Sequence, residues 1–279
     1  NYKMKLVNTM TIKEDKTVIV PDIVLEKESR IELGKGSRLN VDNMLDVSRG
    51  ELVAKAGIIK SKELVVGKEG SYIVEDATEV IVSDIAEIEG LVSVKDSSFM
   101  SDHLTVKDGL MKGESSSINV VGTLSMEGGE LSITSSMITV GAINLLSDFV
   151  SFNLMANSYL HSTGKIMLER GQMDSHRSEL QAISLEVSKN SRYSLREDSR
   201  VTIDNVMKLS GYSVVDRSYV KAKYLEVKGS DVYFNSSSYV DVESATVFGS
   251  LSVDESDLKS TSLLLRENSA LSVSLLSKV

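Results

Sequence analysis

The feature that most restricts this chain is a short phrase that returns about every 20 residues. It reads LDVSRG at 45–50, LTVKDG at 104–109, LSMEGG at 124–129, IMLERG at 166–171 and LEVSKN at 185–190. Further copies are INLLSD (143–148), LEVKGS (225–230) and LLLREN (263–268), and a looser one is LVVGKEG (64–70). The rule is apolar, any, apolar, any, any, then Gly, Asn, Asp or Ser. Alternating apolar residues place one set of side chains on one face of a strand. The small residue that follows permits a sharp corner, often with positive φ. A second marker keeps the same step. Asp42, Lys62, Asp84, Asp102, Gly122, Gly141, Gly164, Asp204, Lys223 and Glu243 form a polar or glycine rung.

A period of about 20 residues is too short for helix-pair repeats, which need more than about 30. Leucine-rich repeats can be this short but carry an Asn or Cys rung that is missing here. Propeller blades need about 40 residues. An antiparallel sandwich has no reason to hold one register over so many units. Short alternating strands joined by small corners fit one turn of a parallel β-solenoid, each strand lying about 4.8 Å from its equivalent in the next turn. The sequence therefore predicts an all-β, single-stranded parallel β-helix, right-handed, with about 20 residues per turn and about 12 turns. It predicts a single solenoid domain over 1–279, with irregular first turns in 1–28 and a bulge or small loop near Asn153 to Tyr159. The closing segment LSVSLLSKV carries no polar cap. The expectation is a piece of a longer repeat protein, or ends that meet.

Composition agrees with a narrow aliphatic core. Apolar residues make up 41% of the 279 residues but aromatics only 5%, with no Trp. The absence of Cys removes disulfides and thiolate metal sites from consideration. A formal charge of −9, with basic residues interleaved among acids, argues against a nucleic-acid surface. No run of about 18 apolar residues occurs, so no helical membrane span is expected.

Chemistry is thin. His103, His161 and His176 share no ligand spacing, and neither the P-loop nor the dinucleotide glycine pattern occurs. No catalytic, cofactor or metal residues are assigned. Acids one turn apart could serve glycosidic acid–base work. Asp84 with Asp102, Glu243 beside Lys223, and the late Asp216 and Asp241 are the candidates, but they alternate with lysines as solvated charges do. Six of the nine tyrosines fall between 193 and 239. Tyr219 and Tyr239 lie one turn apart in SYVKAK and SYVDVE, and Arg200 in SRVTID is their equivalent one turn earlier. With Val220 and Val240 inward, Arg200, Tyr219 and Tyr239 form an outward ladder. It offers a surface for a sugar or a partner protein, or a brace for the sheet.

Segments such as LTVKDGLMKGESSSINVVG (104–122) and LEVKGSDVYFNSSSYVDVE (225–243) make the chain resemble filamentous-haemagglutinin-type bacterial adhesins. It is also similar to autotransporter passenger regions. The resemblance implies a non-enzymatic structural rod or stalk of an extracellular or cell-surface fibre. Such a stalk is a stiff spacer that needs no cofactor. Its partners would be other copies or neighbouring segments of the fibre, and host or surface glycans or proteins. Two alternatives are a polysaccharide-binding or polysaccharide-cleaving β-helix of the tail-spike or lyase kind, and a self-polymerising cytoskeletal rod similar to bactofilins.

Overall fold

The computed structural model describes residues 3–229 and 231–274. The chain is an all-β parallel solenoid of about 14 turns, with about 20 residues in each. No helix occurs among the described residues. The sequence predicts about 12 turns. Strands such as Lys3–Leu6 and Ala270–Val273 lengthen the stack at positions where no rung residue is written. The chain divides into two compact units, Asn1–Thr139 and Val140–Val279.

In the first unit each turn presents three strand faces. On face A, Val18, Leu39, Ile59, Val80, Phe99 and Ile118 are partners in successive parallel pairings. On face B the column is Ile23, Leu45, Leu64, Ala86, Leu104 and Leu124. Face C stacks Ile31, Leu52, Tyr72, Val92, Met111 and Leu131. All these side chains except Val18 are buried. Period-2 alternation sends their neighbours outward, so a slip of one residue would expose a whole column. The register is thus fixed by burial.

The second unit repeats this plan. Leu160, Leu180, Val201, Val220, Val240 and Leu258 form face A. Ile166, Leu185, Met207, Leu225 and Ala245 form face B. Phe152, Met173, Tyr193, Ser213, Val232 and Leu251 form face C. Val187, Leu209 and Val227 are vertical neighbours, as a solenoid requires.

The three corners differ, and each is written in the sequence by a different residue type. The A-to-B corner carries the polar rung, and there the register shifts, for example between Val82 and Ile85 and between Ala182 and Leu185. A bulge leaves its extra residue unpaired and outward, so a charged side chain is accommodated. The B-to-C corner carries Gly50, Gly70, Gly90, Gly109 and Gly129 in the first unit. Glycine is required because the stacked backbones touch: a Cβ on Gly90 would strike the carbonyl oxygens of both Gly67 and Gly70.

The C-to-A corner is turned by a residue in the left-handed region, such as Ala56 (φ 53°), Asp96 (φ 47°) or Ser115 (φ 49°). These three are not glycine, so each carries a conformational cost; Gly36 (φ 70°) turns the equivalent corner of an earlier turn without it. Hydrogen bonds between turns offset it. Asp96 N–H donates to Glu114 O at 3.0 Å and Ser115 N–H to Thr134 O at 3.1 Å. Immediately after most of these corners stands a buried hydroxyl, although Gly57 takes that place after Ala56. Thr78, Ser97, Ser116 and Ser136 occupy this place in the first unit, and Ser158, Ser178, Ser199, Ser218, Ser238 and Ser256 in the second. Several of these hydroxyls receive the N–H of their counterpart in the preceding turn, whereas Ser178 Oγ has no partner. Thr78 N–H donates to Ser97 Oγ (3.2 Å), Ser116 N–H to Ser136 Oγ (2.9 Å), and Ser238 N–H to Ser256 Oγ (3.1 Å). The same hydroxyls donate to carbonyls below, as Ser116 does to Glu114 O (2.6 Å) and Ser238 to Asn235 O (2.6 Å). The buried corner backbone is satisfied by a hydroxyl ladder.

The insertion expected near Asn153 to Tyr159 lies elsewhere. Those residues complete the strand Val150–Met155 and turn an ordinary corner at Ala156 (φ 47°) and Asn157 (φ 63°). The additional length enters after Leu145, where Ser147–Phe149 form a protruding turn and Phe149 is 84% exposed. Residues 275–279, the end of LSVSLLSKV, lie outside the described residues.

Candidate functional site

The outward surface of the second unit holds the residues singled out above. Arg200, Tyr219, Tyr239 and Asp257 are consecutive partners on face A, with Val220 and Val240 buried behind the tyrosines. The tyrosine rings stack at 5.6 Å between centroids and 8° between planes. The Arg200 guanidinium lies 5.1 Å above the Tyr219 ring. Stacking along the solenoid axis occupies the ring faces: Tyr219 has Arg200 on one side and Tyr239 on the other. A sugar, which binds aromatic faces, finds the Tyr219 face already covered, so the arrangement acts first as a brace across turns.

A second ladder went unnoticed in the sequence. On face C, Arg192 pairs with Tyr212, its guanidinium 4.9 Å from the ring centroid, and Tyr212 meets Tyr233 at 6.0 Å and 50°. Its steps of about one turn are as regular as those of Arg200, Tyr219 and Tyr239. It was hidden because Tyr233 sits one outward position further along its strand than Tyr212.

The rung residues are spread over both units. Asp84 and Asp102 stand on neighbouring turns at the bulge corner of the first. In the second, Asp204, Lys223 and Glu243 line an open groove of about 440 Å³ with Lys221, Asp241 and Lys259. Lys221, Asp241 and Lys259 are successive partners in register, and Lys259 Nζ lies 4.0 Å from Asp241. Lys223 lies 5.2 Å from the Tyr224 ring. Cation, anion, cation is the order that neutralises charge between turns, and it differs from the paired carboxyls of a glycosidic centre.

The histidines are scattered. His103 Nδ1 accepts from Thr123 N–H (3.4 Å), and His161 stacks on Tyr159 at 6.3 Å. His176 Nε2 meets Glu197 at 2.8 Å. Among the described residues no group of three or more His, Asp or Glu is placed to hold a metal ion. No helix there is long and apolar enough to cross a membrane.

Two carboxylates act as hubs. Hydrogen bonds from Lys165 and Lys208 on the flanking turns hold Glu186 down at about 2. Glu197 receives His176, Arg177 (2.9 Å) and Arg217 (3.3 Å), with Asp216 also beside Arg217. Desolvation pushes the Glu197 carboxyl up, but the surrounding cations outweigh it and leave the carboxyl below its ordinary range. These are ties between turns. Comparison with protein-family models, with curated proteins and with solved structures finds no match.

Proposed function

We propose that this chain is a stiff, non-catalytic spacer in an extracellular, cell-surface fibre, of the kind that haemagglutinin-type adhesins and autotransporter passengers build. The observation that carries this reading is the continuity of hydrogen bonding between turns. It runs along three strand faces and does not stop at the corners, where the N–H groups of left-handed residues donate to carbonyls of the next turn and buried hydroxyls accept N–H groups from the preceding one. Bending or peeling one turn breaks the ladders of all three faces together, so local opening is costly. The outward side chains support the same reading. Glu87 with Lys107, Glu186 with Lys208 and Arg30 with Glu51 link turns by charge rather than converging on a ligand.

Two experiments test the two halves of the proposal. Trypsin should leave the folded chain intact for hours although it contains 31 Lys and Arg; rapid conversion to small peptides would refute a stiff spacer. Membrane-impermeant biotinylation of intact producing cells should label its lysines. Labelling only after lysis would remove the surface assignment.

A further inference from the structure

We infer that the second unit carries an oxyanion-binding pocket on face C, built for a small acidic ligand that also bears hydroxyl groups. The pocket holds about 320 Å³ and lies chiefly on two turns, with Tyr212 of a third closing it beside Arg192. One turn contributes Gln172, Asp174 and His176, the next Arg192, Ser194 and Arg196, in register as Gln172–Arg192, Asp174–Ser194 and His176–Arg196. Tyr193 and Leu195 point to the core, so Arg192, Ser194 and Arg196 share the outward face. Ser194 is the small residue between two large ones, and that difference in size makes the depression.

Three observations point to an anion. Arg192 and Arg196 are exposed, and among the described residues neither has a carboxylate within ion-pair distance, whereas Arg177 and Arg217 close by are both engaged. Arg192 is also held in place by the Tyr212 ring, so less rotamer entropy is lost when it binds. Ser194 is 6% exposed and its hydroxyl has no partner. A buried hydroxyl left unpaired carries a desolvation cost that a ligand oxygen would relieve after rotation about the Ser194 Cα–Cβ bond. The chain as a whole is acidic, so its long-range field opposes anions, and attraction must come from these two guanidiniums at close range.

Asp174 sets the second half of the chemistry. It is the one carboxylate lining the pocket and adjoins Ser194 across the turn. A bare anion beside it is repelled, whereas a ligand hydroxyl can donate to it. The Gln172 amide nitrogen already donates to Ser151 Oγ (3.2 Å), leaving its oxygen as a further acceptor for hydroxyls. An acid bearing hydroxyls satisfies both the arginines and Asp174. The inference concerns a small pocket and is independent of the spacer reading.

Titration calorimetry of the purified full chain with glucuronate, acetate and glucose tests it. Glucuronate should bind, and at least tenfold more tightly than acetate or glucose. Arg192→Gln and Arg196→Gln should each weaken glucuronate at least tenfold. Ser194→Val, which fills the depression and keeps both arginines, should do the same. Lys259→Gln, in the separate groove on the rung, should leave binding unchanged, and circular dichroism should confirm that every variant is folded. No detectable glucuronate binding, equal binding of acetate or glucose, or full affinity in Ser194→Val would each overturn the assignment.

Discussion

Replacing Ser136 by Ala removes one hydroxyl from the buried ladder and nothing else of consequence. In the folded chain Ser136 Oγ receives the Ser116 N–H at 2.9 Å and donates to Thr134 O at 2.7 Å. Ser116 is itself buried, so its N–H would be left without an acceptor where water does not reach. An unpaired buried donor costs about 1–3 kcal/mol, and we take about 2. With a urea dependence of about 2 kcal/mol per M, the midpoint should fall by roughly 1 M. Hydrogen exchange reads the same loss locally. If the opening that exposes the Ser116 amide becomes easier by about 2 kcal/mol, its exchange should accelerate roughly thirtyfold. Ser132→Ala is the control: Ser132 lies on the same turn but points outward, and a surface change of this kind should stay within about 0.5 kcal/mol. Equal shifts in the two variants, or an unaltered Ser116 amide in Ser136→Ala, would refute the claim that the ladder holds the corner.

Gly90→Ala should destabilise by about 3 kcal/mol, because its Cβ meets two backbone carbonyl oxygens that cannot swing aside. A thermal melt equal to that of the parent would mean the corner can spread. Tyr72→Phe should be neutral or stabilising by about 1 kcal/mol, since the buried Tyr72 hydroxyl has no partner and burial pushes its pKa up; a clear loss on denaturant unfolding would show that the hydroxyl is satisfied. Glu186 has a folded pKa of about 2 against an ordinary 4.5. Its contribution is therefore complete above pH 4.5 and disappears as pH falls from there towards 2. With both lysine partners at the surface the amount is about 1 kcal/mol. Parallel stability–pH curves for the parent and Glu186→Gln between pH 6 and 3 would contradict it.

The architecture could be read from the chain because two sequence periods carry separate physical demands. Alternation of two puts Leu124 and Met126, or Leu185 and Val187, on one face, and a step of about 20 brings each such pair above the last. The glycines of the B-to-C corner were visible for a local reason: only they tolerate stacked backbones at that distance. The ladder of Arg200, Tyr219 and Tyr239 followed from register alone, since equal spacing in a solenoid is adjacency in space.

The rest depended on atoms that sequence separates. The serine column was written at most turns, yet serine is common outside cores, and only burial distinguishes Ser116 or Ser238 from the many surface serines. The position of the extra length, after Leu145 rather than near Asn153 to Tyr159, became visible only where Ser147–Phe149 leave the strand path. The pocket around Ser194 exists because a small side chain falls between two arginines and beside a carboxylate from the previous turn. Periodicity determines which residues become neighbours. Side-chain size, burial and the pairing of charges decide what those neighbours do, and these take effect only once the turns are stacked.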